Sequence, residues 1–215
     1  MPKMSKDTFL RSLVCGLDHE ETAYGMGATR IAGIDECGVG SWVGPVTAGI
    51  VILEKGAMIE GLRDSKLISP KKRIRLAEEI KAKAVGWSVV HVSASEIDRS
   101  NVRVASQMAM YEAIHLISPS PDFLLIDAVA VDIPISQWSI VHGDAVSASI
   151  AAASIIAKVA RDALMVELDL EYPGFNFDVH KGYGTKAHME ALLRLGPTPQ
   201  HRMSFAPLKN LPRMH

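Results

Sequence analysis

Cysteine is scarce: Cys15 and Cys37 are the only two in a chain of 215 residues. A secreted scaffold stapled by disulfides would carry more, so a reducing cytoplasm is the expected setting. Met1 to Leu10 carries charges and no apolar stretch of signal-peptide length. Long hydrophobic runs are missing too. The longest uncharged run, Cys37 to Leu53, is interrupted by Gly38, Gly40, Gly44, Pro45 and Gly49 and ends in β-branched residues. That pattern predicts a loop and a buried strand, and it excludes a transmembrane helix. There is no G-x-x-x-x-G-K-[ST] phosphate loop, and Gly38-x-Gly40 has no third glycine in phase for a dinucleotide fingerprint. His180, His188 and His201 lack zinc-ligand spacing and a nearby cysteine, so zinc is set aside. Cys37 has no nucleophile signature and reads as a small buried residue.

Net charge is nearly absent, at −1, but it is unevenly spread. Arg63 to Lys83 carries a local +5 and Lys181 to His215 another +5, leaving −11 for the remainder. Two basic segments on an acidic body suit a phosphate-tracking surface around an acidic site, or two solvated helix faces.

Hydrophobic periodicity and its punctuation predict alternating elements. A first helix is expected from Lys6 to Ala23 and a strand from Arg30 to Asp35. A loop holds Gly38, Gly40 and Gly44, and a strand follows over Pro45 to Leu53. Asp64-Ser65-Lys66 falls in a loop. Ser69 as N-cap and Pro70 at the first position open a helix to Ala84. A strand over Gly86 to Val92, a helix over Asn101 to Leu116, and strands over Phe123 to Asp127 and Trp138 to His142 come next. A long helix from Val146 to Leu170 and a final one from Thr185 to Leu195 complete the chain. The fold class is α/β: a mixed sheet flanked by helices, as one domain over residues 1–215, with 172–215 as a basic helical extension.

Acids stand where acids are expensive. Asp35 and Glu36 end the apolar strand Ile31-Ala32-Gly33-Ile34, Asp127 ends Phe123-Leu124-Leu125-Ile126, and Asp144 precedes an apolar helix. Active groups of α/β folds gather at the carboxyl ends of strands. Clustered carboxylates repel one another and call for a compensating cation. Oxygen-only ligands suit Mg2+ or Mn2+, and two such ions about 4 Å apart can clamp a phosphodiester displacement. Each acid taken singly could instead cap a helix or pair with a base.

At this point the motifs resemble those of the ribonuclease HII family. Ile31 to Gly40 followed by Gly44-Pro45-Val46 is similar to its opening signature, and Asp64-Ser65-Lys66 to its next motif. Ile97 to Asn101 with Ala109-Met110, Leu125-Ile126-Asp127 and Gly143-Asp144-Ala145 follow in the family's order. So do Ser149 to Lys158 with Arg161-Asp162, His180 to Thr185, and His201 to Pro207. The resemblance implies a ribonuclease H-like fold with a C-terminal helical extension. It implies Mg2+- or Mn2+-dependent cleavage of RNA in RNA–DNA duplexes to a 3′-hydroxyl and a 5′-phosphate. It also implies incision 5′ of a single ribonucleotide in DNA, the start of ribonucleotide excision repair. Asp35, Glu36, Asp127 and Asp144 would hold the metals. Gly38, Val39 and Gly40 would meet the ribose 2′-hydroxyl through backbone groups, Lys66 a phosphate, and Tyr183 the neighbouring sugar. Arg161 and Asp162 are expected to pair on their helix. The other readings are a binding protein of this fold with weak or no turnover, and a metal nuclease of other substrate preference.

The chain departs from the family at Val39, where Arg is usual, and at Ala128-Val129, where Gly-Asn is frequent. His142 and Val146 stand where Lys is common. These changes remove positive or hydrogen-bonding groups and bear on substrate affinity rather than on the acids. A cytoplasmic monomer is expected, and Pro207 to His215 carries no strong replication-clamp motif.

Overall fold

The computed structural model describes Thr8, Ser12 and residues 13–210. Five strands form one mixed sheet in the order β3-β2-β1-β4-β5. β1 (Ile31–Cys37), β2 (Val46–Ile52) and β3 (Gly86–Val92) make an antiparallel meander, while β4 (Phe123–Asp127) and β5 (Ser136–Ile140) add in parallel beyond β1. The helices are α1 (Asp18–Gly25), α2 (Pro70–Lys83), α3 (Ala94–Arg99), α4 (Val102–Leu116), α5 (Gly143–Val146), α6 (Ala148–Glu171), α7 (Phe177–His180) and α8 (Lys186–Leu195). None among the described residues is long and apolar enough to cross a membrane.

Side chains of a strand alternate between its faces, and that alternation builds the layers. Ala32 and Ile34 of β1, Ala48 and Ile50 of β2, and Leu124 and Ile126 of β4 pack with Ala105, Ala109, Met110 and Ala113 of α4. On the other face, Ile31, Phe123 and Leu125 meet Ile150 of α6. Here α6 lies against the sheet with almost no side chain between. A Cβ on Gly33 would stand 2.0 Å from the Ser149 backbone, and one on Gly49 would stand 2.5 Å from the Ala153 carbonyl. Ala151, Ala152, Ala153 and Ala157 continue the small, buried face of α6.

Three expected elements differ. The expected first helix is interrupted: Thr8 and Ser12 are helical, residues 13–17 are not, and α1 starts at Asp18; residues 6, 7 and 9–11 of that expectation lie outside the described residues. Gly16 instead pairs with the start of the long helix: its N–H donates to the Val146 carbonyl, and its carbonyl accepts from Ala148. The long helix is divided into α5 and α6 at Ser147, which is extended and whose hydroxyl accepts from the Ile150 N–H. A buried acid holds this break. Glu20 of α1 accepts from the Ser147 hydroxyl at 2.7 Å and from the Ser149 N–H at 2.9 Å, a carboxylate at a helix N-terminus. β5 starts two residues before its expected position, because Gln137 and Trp138 pair with Leu124 and Leu125. Ser69 precedes α2 without a side-chain capping bond, although Pro70 does open that helix. α3 escaped the periodicity reading, yet its signal was present: Ser93 and Glu96 form a reciprocal capping box.

Candidate active site

Asp35 and Asp127 leave adjacent parallel strands side by side. Ile34 pairs with Ile126, and both acids are the next residue along, on the face that α6 covers. Asp144 joins them from the first turn of α5. One carboxylate oxygen from each of Asp35, Asp127 and Asp144 lies within 4.8 Å of the other two. Two left-handed residues shape the approach: Ala128 (φ 60°) turns the chain after Asp127, and His142 (φ 58°) turns it into α5. The Gly143 N–H then donates to Asp127 Oδ1 at 2.8 Å and orients that carboxylate.

Glu36 follows Asp35 in the strand and therefore departs from the opposite face. It is not one of the three clustered acids. It nonetheless lines the same cleft, and its Oε2 is buried without a hydrogen-bond partner. Burial pushes all four carboxyls above their ordinary range. For Asp35 the rise is large, with Asp127 and Glu36 adding repulsion, and for Glu36 the Asp127 charge is the next cause. Lys66 and the Gly143 N–H oppose the rise at Asp127, and Lys66 opposes it at Asp144. Lys66 Nζ stands 3.5 Å from Asp144 and 3.8 Å from Asp64, on a mostly exposed side chain. Its burial is outweighed by Asp144, Asp64 and Asp35, which hold the ammonium above its usual value. An oxygen-only set with an orphaned acceptor and a surplus of negative charge fits a hard divalent cation.

The cleft, about 460 Å³, runs from Asp35 and Glu36 past Ser65, Lys66 and Lys158 to Gly38, Val39, Gly40 and Tyr183. Gly38 has φ +84°, and a Cβ there would meet Arg161 Nε at 2.2 Å, whereas Gly40 faces open space. Thus Gly38 is glycine because of the turn and the arginine beneath it. Val39 is not left-handed, so its branched side chain carries no backbone strain.

Two buried arginines hold this loop from below. Arg161 does not pair with Asp162; neighbours in a helix point apart. It donates instead to the carbonyls of Pro45 at 3.0 Å, Val43 at 3.1 Å and Lys181 at 3.1 Å, with its guanidinium 5.7 Å from the Tyr183 ring. Asp162 pairs with Arg73 and Lys158. Arg202 donates to the carbonyls of Gly44 and Val39. Sequence reasoning missed Arg202 as a loop support, because its partners lie about 160 residues away. The segment around it is fastened by Asp98, which accepts from the N–H groups of Met203 and Ser204.

Comparison with known proteins agrees with this geometry. The sequence model of the ribonuclease HII family matches residues 32–208. Ribonuclease HII of Geobacillus kaustophilus (strain HTA426) is 51% identical over 193 residues, covering 90% of this chain and 74% of that protein. The crystal structure of ribonuclease H2 from Pyrococcus horikoshii OT3 superposes with a TM-score of 0.73 at 22% identity, over 85% of this chain and 96% of that one. Bst-RNase HIII in complex with Mn2+ superposes with a TM-score of 0.62 at 16% identity, over 97% of this chain and 73% of that one. The mixed sheet between α4 and α6 is thus a ribonuclease H-like fold. The chain belongs to the ribonuclease HII family and is a hydrolase that cleaves RNA in RNA–DNA hybrids.

Proposed function

We propose that this enzyme is a divalent-metal-dependent endonuclease that also incises DNA duplexes on the 5′ side of a single embedded ribonucleotide, the step that opens ribonucleotide excision repair. The observation that carries this reading is a cluster of three carboxylates whose member Asp35 lines, with Glu36, the cleft that also holds a glycine-rich main-chain wall and an aromatic ring. Asp35, Asp127 and Asp144 would hold Mg2+ or Mn2+, with Glu36 completing the set through its orphaned oxygen and two ions present during turnover. Such ions, when bound, neutralise the carboxylates and the charge that develops on the scissile phosphate.

The chain's own groups do the rest. The Gly38 carbonyl accepts from Ser41 and the Val39 carbonyl from Arg202, bonds that hold the loop's main chain in place to meet a ribose 2′-hydroxyl, a group that both donates and accepts. Tyr183, partly exposed at the cleft wall, supplies a ring face for the neighbouring sugar. Lys66 meets a phosphate at the price of its bond to Asp144. The segments 63–83 and 181–215 carry the positive charge for the flanking backbone. A monomer working in the cytoplasm on hybrid and ribonucleotide-containing duplexes, as one domain with a basic helical extension, completes the proposal.

The test uses labelled duplexes containing no, one or four ribonucleotides, incubated with Mg2+, Mn2+ or chelator. Incision at the single ribonucleotide, none of all-DNA duplex, and none with chelator are expected, with 3′-hydroxyl and 5′-phosphate ends. Equal cutting of all-DNA duplex would point to a general nuclease, and binding without incision to a non-catalytic relative. Tyr183→Ala should lower cleavage of the single-ribonucleotide duplex below saturation.

A further inference from the structure

Three histidines lie together behind Tyr183, outside the carboxylate site. His188 and His201 are buried, and the His180 ring stacks on His188 with centroids 4.4 Å apart and planes at 13°. Phe175 and Phe177 pack around them. The cluster is not a metal site, because ring nitrogens in it are already committed to fixed partners.

The protons can be placed from the ends of the chain inwards. A backbone N–H can only donate, and that of Thr198 points at His201 Nδ1 from 2.9 Å, so this nitrogen is bare and His201 carries its proton on Nε2. A carbonyl can only accept, and that of Tyr183 lies 2.9 Å from His188 Nδ1, so His188 carries its proton there. The two free positions then match: His201 Nε2–H faces the bare His188 Nε2 at 3.2 Å. His180 is ordered the same way, with Nδ1 accepting from the Gly182 N–H and Nε2 donating to the Phe175 carbonyl. Burial, with neighbouring imidazoles, lowers His188 and His201 to about 4, which keeps both rings neutral and the proton order intact at neutral pH.

We infer that His201 and His188 are positioning residues: a proton-ordered relay, Thr198 to His201 to His188 to the Tyr183 carbonyl, sets the place of the Tyr183 ring in the cleft. The Thr185 N–H also reaches that carbonyl, at 2.9 Å, but it belongs to the same tight turn and cannot anchor it to another part of the fold. The relay ties the turn to Thr198, whose neighbour Gln200 is bound to the glycine-rich loop through Gly44. Both walls of the cleft thereby share one support. The inference rests on the proposed role of Tyr183 as a substrate contact.

The test has two arms. Nitrogen-15 NMR of histidine-labelled full-length protein, without substrate at neutral pH, should show His201 as the Nε2–H tautomer and His188 as Nδ1–H. Identical tautomers, or a protonated ring, would overturn the relay whatever the enzyme does. In the kinetic arm, His188→Leu should lower kcat/KM on the single-ribonucleotide duplex about tenfold, mainly through KM. His188→Asn keeps a donor near the Tyr183 carbonyl and should recover part of the loss. Combined with Tyr183→Ala, His188→Leu should add nothing further. Additive losses in proteins with unchanged melting would show that the histidines act apart from Tyr183. A Tyr183→Ala enzyme of wild-type activity would instead remove Tyr183 from the substrate contacts and leave the NMR arm standing.

Discussion

Arg202 donates from Nη1 to the carbonyl of Val39 at 2.9 Å, across 163 residues of sequence. The glycine-rich loop is therefore held by its main chain from the protein side, while its outer edge lines the cleft. Arg202 is fully buried, and burial lowers its guanidinium to about 9.

Arg202→Lys should loosen that loop. A single ammonium cannot reproduce two bonds from one planar fork. We expect a stability loss of about 2 kcal/mol, from broken charge-assisted bonds and a poorly satisfied buried cation. KM for a single-ribonucleotide duplex should rise with it. Denaturant melts and steady-state kinetics check both, and an unchanged melt would show that the loop stands without Arg202.

Asp127→Asn should abolish cleavage and yet leave the metal-free protein folded, or more stable. It removes one charge from a cluster whose members raise one another's carboxyl values and keeps a carbonyl to accept from Gly143. Single-turnover cleavage and melting in chelator are the measurements. Near-normal cleavage by folded protein would take Asp127 out of the catalytic set.

Val39→Arg adds a cation beside the cleft without backbone strain, since the position is not left-handed. KM for the single-ribonucleotide duplex should fall, and the salt dependence of binding should steepen by roughly one phosphate contact. A change confined to kcat would place the effect on the chemical step. No change would mean that another cation, Lys66 foremost, already serves that phosphate.

Acid should destabilise the protein through its histidine relay. His188 and His201 sit at about 4 in the folded state and near 6.5 when unfolded, so the unfolded chain binds protons first. Their contribution is present above the unfolded value and is lost as pH falls from there towards 4. The raised carboxyls of Asp35, Asp127 and Asp144 act in the opposite sense. The relay's share is therefore read as a difference: His201→Gln should melt with a shallower acid slope than the parent protein. Parallel slopes would refute it.

Ala128→Gly should stabilise the fold by about 0.5 kcal/mol, because relief of a left-handed alanine outweighs the added freedom of glycine in the unfolded chain. A lower melting temperature would show that the alanine methyl is packed usefully beside Asp127.

These cases show what the residue order could and could not reveal. Asp35 and Asp127 were legible because each ends an apolar run, and carboxylates there are too costly to be incidental. The separation of Glu36 from the other three was also implicit in strand alternation, though grouping by motif hides it. Glu20, Arg202 and the histidine relay were not legible as supports. Each acts on a partner that only the fold brings near, and a buried Glu or Arg carries no periodic signal. The break at Ser147 was hidden for the same reason: the residues on both sides favour helix, and Gly16 and Glu20 supply the interruption from elsewhere.

The bare contact between Gly33 and Ser149 has a consequence for how this enzyme can vary. Asp35 lies two residues beyond Gly33, and Asp144 lies five before Ser149, so the gap between those acids is gauged by a helix resting on a strand with only hydrogen between them. Adding one methyl at Gly33 would wedge strand and helix apart and shift Asp35 relative to Asp144 without altering either acid. Under the proposed metal-binding role of these acids, metal affinity and backbone packing would share one dimension, and a change at a position with no chemistry of its own would reach the site through the backbone.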